Sequence, residues 1–270
     1  PICIPKKGRE KEVKKCIDTI VSGTEPSCKF CEAKYTQDED TLDTWFSSGL
    51  WTFSTLGWPD KSKDLKNFHP TSWMQMGHEI LFFWMARMIL MSKYALGEIP
   101  FESVYIHGIL RDEKGKKFSK SAGNSVDPLE VIEKYGTDAL RFSLLEGVAP
   151  GQDQRYNSDK VEGARNMVNK LWNISRFMRA FIKEPKKNPQ APKNTNHLDS
   201  RILAKFSDLI SHVQSDLEAF YFSAACEKLR HFTWKELADD YVEDAKVEKE
   251  IDRTDSPVFN YIFNNLLKLW

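Results

Sequence analysis

From Val161 onward the apolar residues fall three and four apart. Val161, Ala164, Val168, Leu171, Trp172, Ser175 and Phe177 form one series; Ile202, Phe206, Leu209, Ile210, Val213 and Leu217 form a second. That spacing lines one face of an α-helix, and such a face needs other helices to bury it. The pattern continues from Phe220 to Phe232, from Trp234 to Ala245 and from Val258 to Trp270, so residues 151–270 read as a helical bundle. Pro185, Pro189 and Pro192, with Asn188, Asn194 and Asn196, interrupt it and predict a loop from Glu184 to Asn196. Upstream the period is different. Pro70 to Met76 reads as a strand, Gly77 stops it, and Glu79 opens a helix whose apolar face carries Ile80, Phe83, Trp84, Met88 and Met91. Ser103 to Leu110 reads as a second short buried strand, in which Gly108 allows close backbone approach. Strand, glycine and helix make a βα unit. The expected class is therefore α/β followed by all-α. The polar, Gly- and Pro-containing stretch Gly147 to Asp159 sets the boundary near 150.

A cationic loop follows the second strand. Arg111, Lys114, Lys116, Lys117 and Lys120 are opposed only by Asp112 and Glu113. Gly115 and Gly123 keep it pliable, and Ser119 and Ser121 add hydroxyl donors. A pliable cationic loop at the carboxyl end of a strand suits a polyphosphate. The same composition also describes a solvated basic surface loop. In open α/β sheets ligands sit at strand ends against helix N-termini, which places Gly77, His78 and Glu79 where a nucleotide or amino acid would bind. Asp127-Pro128-Leu129-Glu130 is a helix start with an N-cap, a first-turn proline and a capping-box acid, and Gly136 ends that helix. These residues read as structural support for the loop.

Composition narrows the possibilities. Lys+Arg and Asp+Glu are both 39, so nucleic-acid contact must come from local patches such as Arg176, Arg179, Lys183, Lys186 and Lys187. With 41% hydrophobic and 29% charged residues, the chain reads as globular. Its longest apolar run, Ile80 to Met91, is interrupted by Arg87 and is too short to span a bilayer. Five cysteines and no secretory pattern suit a reducing compartment, hence a cytoplasmic location. Cys28-Lys29-Phe30-Cys31 has knuckle spacing. Cys3 and Cys16 could complete a zinc tetrad; ordinary thiols are the alternative. Gln37 to Trp58 carries Trp45, Phe46, Trp51, Phe53 and Trp58, too many aromatics for a free linker, and is expected to pack. The abrupt start at Pro1-Ile2 and the stop inside a helical pattern at Leu269-Trp270 suggest a fragment of a longer chain.

Lys117-Phe118-Ser119-Lys120-Ser121 resembles the K-M-S-K-S signature of class I aminoacyl-tRNA synthetases, with Phe118 in place of Met. Its neighbours strengthen the likeness: Asp43-Thr44-Trp45-Phe46-Ser47-Ser48, Phe53-Ser54-Thr55-Leu56-Gly57-Trp58-Pro59, Phe82-Phe83-Trp84-Met85-Ala86-Arg87-Met88, Asp127-Pro128-Leu129-Glu130 and Tyr135-Gly136-Thr137-Asp138-Ala139-Leu140-Arg141-Phe142. Together they resemble the valyl branch of that family more than its isoleucyl or leucyl branches, from about Gln37 onward and thinning after Phe181. The resemblance implies that residues 1–36 are the exit from an inserted editing domain. It makes 37–150 the second half of a Rossmann-type parallel-sheet catalytic domain, and 151–270 an incomplete anticodon-binding domain. The implied reaction activates valine with ATP and Mg2+ and passes it to tRNA(Val). The resemblance further implies catalytic roles for Lys117 and Lys120 with Ser119 and Ser121. It implies ATP contacts at Gly77, Glu79 (where Asp is usual), His107, Gly108 and Lys120, and an amino-acid side-chain pocket lined by Trp84. The family's H-I-G-H signature belongs to the preceding half of the Rossmann domain, and no H-x-G-H occurs among these residues. The chain by itself is accordingly expected to be inactive. A non-catalytic tRNA- or partner-binding module is the alternative from another class.

Overall fold

The computed structural model describes residues 2–3, 22–24, 27–28, 35–37, 39–119, 121, 123–193, 195–247 and 255–270. Contacts group into two units, one of Pro1–Ser72 with Ile80–Glu102 and one of Trp73–Glu79 with Ser103–Trp270.

In the first unit β1 (Ile2–Cys3) pairs antiparallel with β2 (Tyr35–Thr36). Three short helices follow, α1 (Thr44–Gly49), α2 (Trp51–Ser54) and α3 (Lys63–Phe68). Asp43 caps α1 by accepting the Trp45 N–H at 2.7 Å, and Ser62 caps α3 by accepting that of Leu65 at 2.9 Å. A Cβ on Gly49 would lie 3.4 Å from Arg87 Cβ and Met91 Cγ, so α1 packs closely against α4 (Ala86–Leu96). The aromatics of the 37–58 stretch pack, as their number requires: Phe53 is fully buried edge-on to Trp58, and Trp45 lies against Phe83 with centroids 5.8 Å apart.

The helix expected to start at Glu79 starts irregularly. His78–Ile80 is a 3₁₀ turn and Leu81–Met85 is π-helical before regular α4 begins. A π-turn holds more residues than an α-turn, so a 3.6-residue count from Ile80 does not carry through it. Met88 is buried as expected, whereas Phe82 and Phe83 are 78% and 52% exposed, and Phe83 does not belong to the buried face.

In the second unit β3 (Thr71–Gly77) and β4 (Phe101–His107) are hydrogen-bonded neighbours, and most of both strands belongs to this unit. A helical crossover between neighbouring strands is the parallel arrangement. The strand expected over 103–110 ends at His107 and is half-buried rather than buried, since β4 has a described neighbour on one side only. The chain resumes as β5 (Leu110–Arg111), parallel to β6 (Gln154–Arg155). Asp127 caps α5 (Pro128–Tyr135) through the Leu129 N–H at 2.8 Å. Gly136, at φ +93°, ends that helix and opens α6 (Thr137–Leu145). Val131, Ala139, Val161 and Ala164 join α5, α6 and α7 (Ser158–Ala180) in a small core.

The larger core belongs to α7, α8 (His197–Glu218), α9 (Phe222–His231), a π-helical turn at Phe232–Tyr241, α10 (Val242–Val247) and α11 (Pro257–Leu269). Tyr241, Phe206, Phe232, Phe259 and Met178 are its largest closed residues. The 184–196 loop is a loop in its described residues. On α8 the expected face is buried at Ile202, Phe206, Leu209 and Val213, while Leu217 near the end is exposed. On α7 Val161 and Ala164 are buried as expected and Leu171 and Phe177 pack against the core, but the buried line continues through Met167, Ile174 and Met178, and Trp172 is 67% exposed. The five buried residues are spaced three, three, seven and four residues apart, and Trp172 lies off their line despite its size. No helix among the described residues is long and apolar enough to cross a membrane.

This packing separates two aromatic truncations. Phe206→Ala is expected to cost about 3–5 kcal/mol in urea unfolding. Trp172→Ala should stay within about 0.5 kcal/mol of the parent. Equal losses would mean that the α7 face is assigned to the wrong side.

Candidate functional site

The second unit brings the end of β3 and the start of the lysine loop together through one later segment. Gly77 is buried, and a Cβ there would lie 2.3 Å from Glu79 Oε2, so the Glu79 carboxylate folds back over Gly77. At Gly108 a Cβ would meet the Gln152 carbonyl oxygen at 1.8 Å. Residues 149–156 cross at that point and run on beside the chain. Gly151 N–H donates to Ile106 O at 2.9 Å, Gln154 N–H to Ile109 O at 3.0 Å and Tyr156 N–H to Arg111 O at 2.7 Å. The close approach expected of Gly108 is therefore to protein backbone.

Asp153 is the junction of this arrangement. Its Oδ1 accepts the Ile109 N–H at 2.7 Å and the His78 Nε2–H at 2.7 Å, and its Oδ2 accepts from Arg111 Nε. The Ile109 amide first, then His78 and Arg111, hold its carboxyl well below the usual carboxylate range. His107 donates from Nδ1 to Gly108 O at 2.6 Å, which leaves Nε2 as an acceptor in the neutral ring.

The loop itself is a clasped turn. Arg111 bridges Lys117 in antiparallel fashion, Asp112 N–H donates to Lys116 O at 2.8 Å, and the Asp112 carboxylate accepts the Lys116 N–H at 2.7 Å. Gly115, at φ +80°, closes the turn. Asn124 then ties both arms. Its Nδ2 donates to Asp112 Oδ2 at 2.8 Å and to Lys117 O at 3.2 Å, and its Oδ1 accepts the Ser119 N–H at 2.9 Å. The bond from Asn124 is the leading cause that lowers the Asp112 carboxyl below its ordinary value. Ser119 and Ser121 share a hydroxyl–hydroxyl bond of 2.8 Å. The Lys117 side chain is exposed, and Lys120 lies outside the described residues. Asp153 and Asn124 were not singled out as site residues from the sequence; an acid in the Gly- and Pro-containing stretch and an amide after Gly123 were the available signals.

Trp84 belongs to the first unit. It is half-buried, donates from Nε1 to Ser48 O at 3.0 Å and lies 5.9 Å from Trp51 between ring centroids. Its orientation is thus fixed by α1 and α2. Among the expected zinc donors Cys28 is buried, whereas Cys16 and Cys31 lie outside the described residues. Among the described residues no three His, Cys, Asp or Glu side chains are grouped to hold a metal ion. Of the basic candidates, Arg179 donates from Nη1 to Ile182 O at 2.6 Å and so serves the end of α7.

Residues 5–157 match the family described as tRNA synthetases class I (I, L, M and V), and residues 199–270 match the anticodon-binding domain of tRNA ligase. The chain belongs to the class I tRNA synthetases of the I, L, M and V group. Among curated relatives of this synthetase chain, the Valine--tRNA ligase of Clostridium tetani is 48% identical over 258 residues, covering 94% of the chain and 29% of the relative. That of Dehalococcoides mccartyi (strain 195) is 45% identical over 259 residues, again 94% and 29%. The chain thus spans about three-tenths of the length of such relatives. LeuRS of Agrobacterium radiobacter K84, solved in a ternary complex with tRNA and LeuAMS, shares the fold with a TM-score of 0.73 at 20% identity, over 91% of this chain and 31% of that one. Mycobacterium tuberculosis methionyl-tRNA synthetase bound by methionyl-adenylate gives 0.65 at 23% identity, over 83% and 45%.

The synthetase loop depends on Asn124 in a way that titration can read. Asp112 has a depressed folded pKa, so its clasp is fully formed above the unfolded value of about 3.9 and is lost as pH falls through the folded value. Asn124→Ala should move the Asp112 carboxyl titration upward in NMR and speed amide exchange at Ser119. A titration that stays in place would show that Asn124 does not hold the turn.

Proposed function

We propose that these residues form part of a valine–tRNA ligase that activates valine with ATP and transfers it to tRNA(Val). The observation that carries the reading is the clasped loop that departs from β5 and leads into the Lys117-Phe118-Ser119-Lys120-Ser121 sequence, tied through Asp153 to the Gly77–Glu79 turn at the end of β3. Strand ends of this kind are where open α/β sheets bind nucleotides. Valine is supported by the names of the relatives at 45–48% identity.

ATP enters as its magnesium complex. The valine carboxylate attacks the α-phosphorus, the bond from that phosphorus to the bridging oxygen breaks, and pyrophosphate leaves with the electron pair. No protein nucleophile is needed, so the chain's task is to position reactants and offset charge. In this reading Glu79 receives the ribose hydroxyls beside Gly77. His107 and Gly108 face the adenine, and Trp84 bounds the valine side chain. Lys117 and Lys120, with the hydroxyls of Ser119 and Ser121, meet the departing pyrophosphate. The adenylate then yields valine to the terminal ribose of tRNA. By the same reading 37–150 is the second half of the catalytic domain, 1–36 the exit of an editing insertion, and 151–270 the anticodon-binding part. The location is the cytoplasm.

Two outcomes test this. The 270 residues contain no H-x-G-H, so the chain alone should give no valine-dependent pyrophosphate exchange, while an enzyme of full family length carrying it should. Exchange by the chain alone would remove the need for that half-site. In the full-length enzyme, Lys120→Ala should lower kcat for adenylate formation by roughly 100- to 1000-fold with little change in ATP KM, because its charge is used most as pyrophosphate departs. Transfer of preformed valyl-adenylate should be far less affected. Single-turnover kinetics separate the two steps, and equal slowing of both would make Lys120 a ground-state anchor instead.

A further inference from the structure

Asp153 lies 44 residues beyond Ile109 and 75 beyond His78 in sequence, yet its carboxylate touches both. The third partner, Arg111, opens the antiparallel bridge on which the lysine loop is built. One carboxylate thus bonds the residue between Gly77 and Glu79, the amide after Gly108, and the arginine at the root of the signature loop. We infer that Asp153 is the positioning residue that couples the ribose-side turn to the base of the lysine loop, so that the two ends of a bound nucleoside triphosphate meet groups held in one register. The inference rests on the synthetase reading above and deepens it.

Several observations exclude a merely solvated acid. The Asp153 side chain retains only 24% of its exposure, and every contact it makes is to a hydrogen donor from another part of the unit. The crossing at Gly108 brings Asp153 to this point, and no side chain larger than hydrogen would permit it. The partners also divide the labour. Ile109 offers a fixed backbone amide, whereas His78 and Arg111 are side chains that the carboxylate orients. With His78 held, the backbone on either side of it is held, and that backbone carries Gly77 and Glu79. With Arg111 held, the strand β5 from which the loop departs keeps its direction. Asp153 touches no reacting atom in this scheme. Its effect should therefore fall on nucleotide binding before it falls on chemistry.

The test is a comparison of Asp153→Asn, Asp153→Ala and His78→Ala in an enzyme of full family length carrying this sequence. Asp153→Asn keeps an oxygen for the Ile109 amide and His78 but turns an amide NH2 toward Arg111, so it preserves the crossing if the alanine variant fails to fold. Amino-acid-dependent pyrophosphate exchange should show ATP KM raised roughly ten-fold in the folded Asp153 variants, with valine KM within about two-fold of the parent. The rises from Asp153→Ala and His78→Ala should be non-additive, since both remove the bond between Asp153 and His78. Amide exchange on the same proteins should quicken at residues 77–79 and 109–111 together. An unchanged ATP KM, equal rises for ATP and valine, full additivity, or faster exchange confined to 109–111 would each overturn the coupling. A parent enzyme without valine-dependent exchange would instead refute the synthetase reading, and the amide-exchange comparison would still decide the coupling.

Discussion

The site depends on a missing side chain. Gly108 has no Cβ, and the Gln152 carbonyl occupies the place where one would be. Because of that crossing, residues 149–156 can run beside 106–111 and form a short backbone ladder with them. The ladder fixes three things together. It sets the direction in which the lysine loop leaves β5, it delivers Asp153 to the end of β3, and it aims the chain into α7. Removing the crossing would not empty a core; it would separate the loop, the turn and the helical part from one another. Cores tolerate replacement of one apolar group by another of similar size, whereas a backbone-to-backbone approach of this kind admits only glycine.

Within this frame, charge is held by hydrogen bonds rather than by burial. Asp153 and Asp112 both keep depressed pKa values through short bonds from amides and side-chain donors, in places that water still reaches. Bonds to charged groups are worth more than neutral ones, so a few of them position a loop that has little apolar surface to bury. The helical part is built the other way. Phe206, Phe232, Tyr241 and Phe259 close a large apolar core, and the salt bridges around it, such as Arg230 with Glu146 and Lys205 with Glu236, are partly exposed. The helices get their stability from area and the loop from donors.

That difference explains what the sequence disclosed. Helices α8 and α11 were legible because burial repeats with the helical period, and the caps at Asp127 and Gly136 were legible because their chemistry is local. On α7 Val161 and Ala164 were legible, but the spacing carried on through Val168 and Trp172, whereas the buried line runs through Met167, Ile174 and Met178. The irregular start of α4 was missed because a π-turn leaves no composition signal. The lysine loop could be found from its residues, but its clasp could not. Asn124 acts on Asp112, Lys117 and Ser119 through amide geometry that a one-dimensional spacing does not encode. Asp153 is a long-range partner, and nothing in the intervening residues points from Ile109 to it. The one available hint was Gly108 itself: a glycine read as a point of close approach needs something to approach it.

The loop also shows how a fixed base and an exchangeable tip can coexist in a few residues. From Arg111 to Lys117 and again at Asn124, the backbone is tied by bonds that involve a carboxylate or an amide with two arms. Ser119 is tied through its N–H, and among the described residues its hydroxyl bonds that of Ser121. A bond between two neutral hydroxyls contributes on the order of 1 kcal/mol, and one to an anionic oxygen contributes roughly twice that. If phosphate oxygens bind at the tip, as proposed, two hydroxyls that shared one bond can each donate to an anion, and the exchange is favourable without disturbing the base. Binding at the tip therefore does not have to break the clasp. The Asp112 carboxylate stays bonded to its own donors, where its negative charge is already used, and in the proposed reading the exposed Lys117 side chain meets the anion.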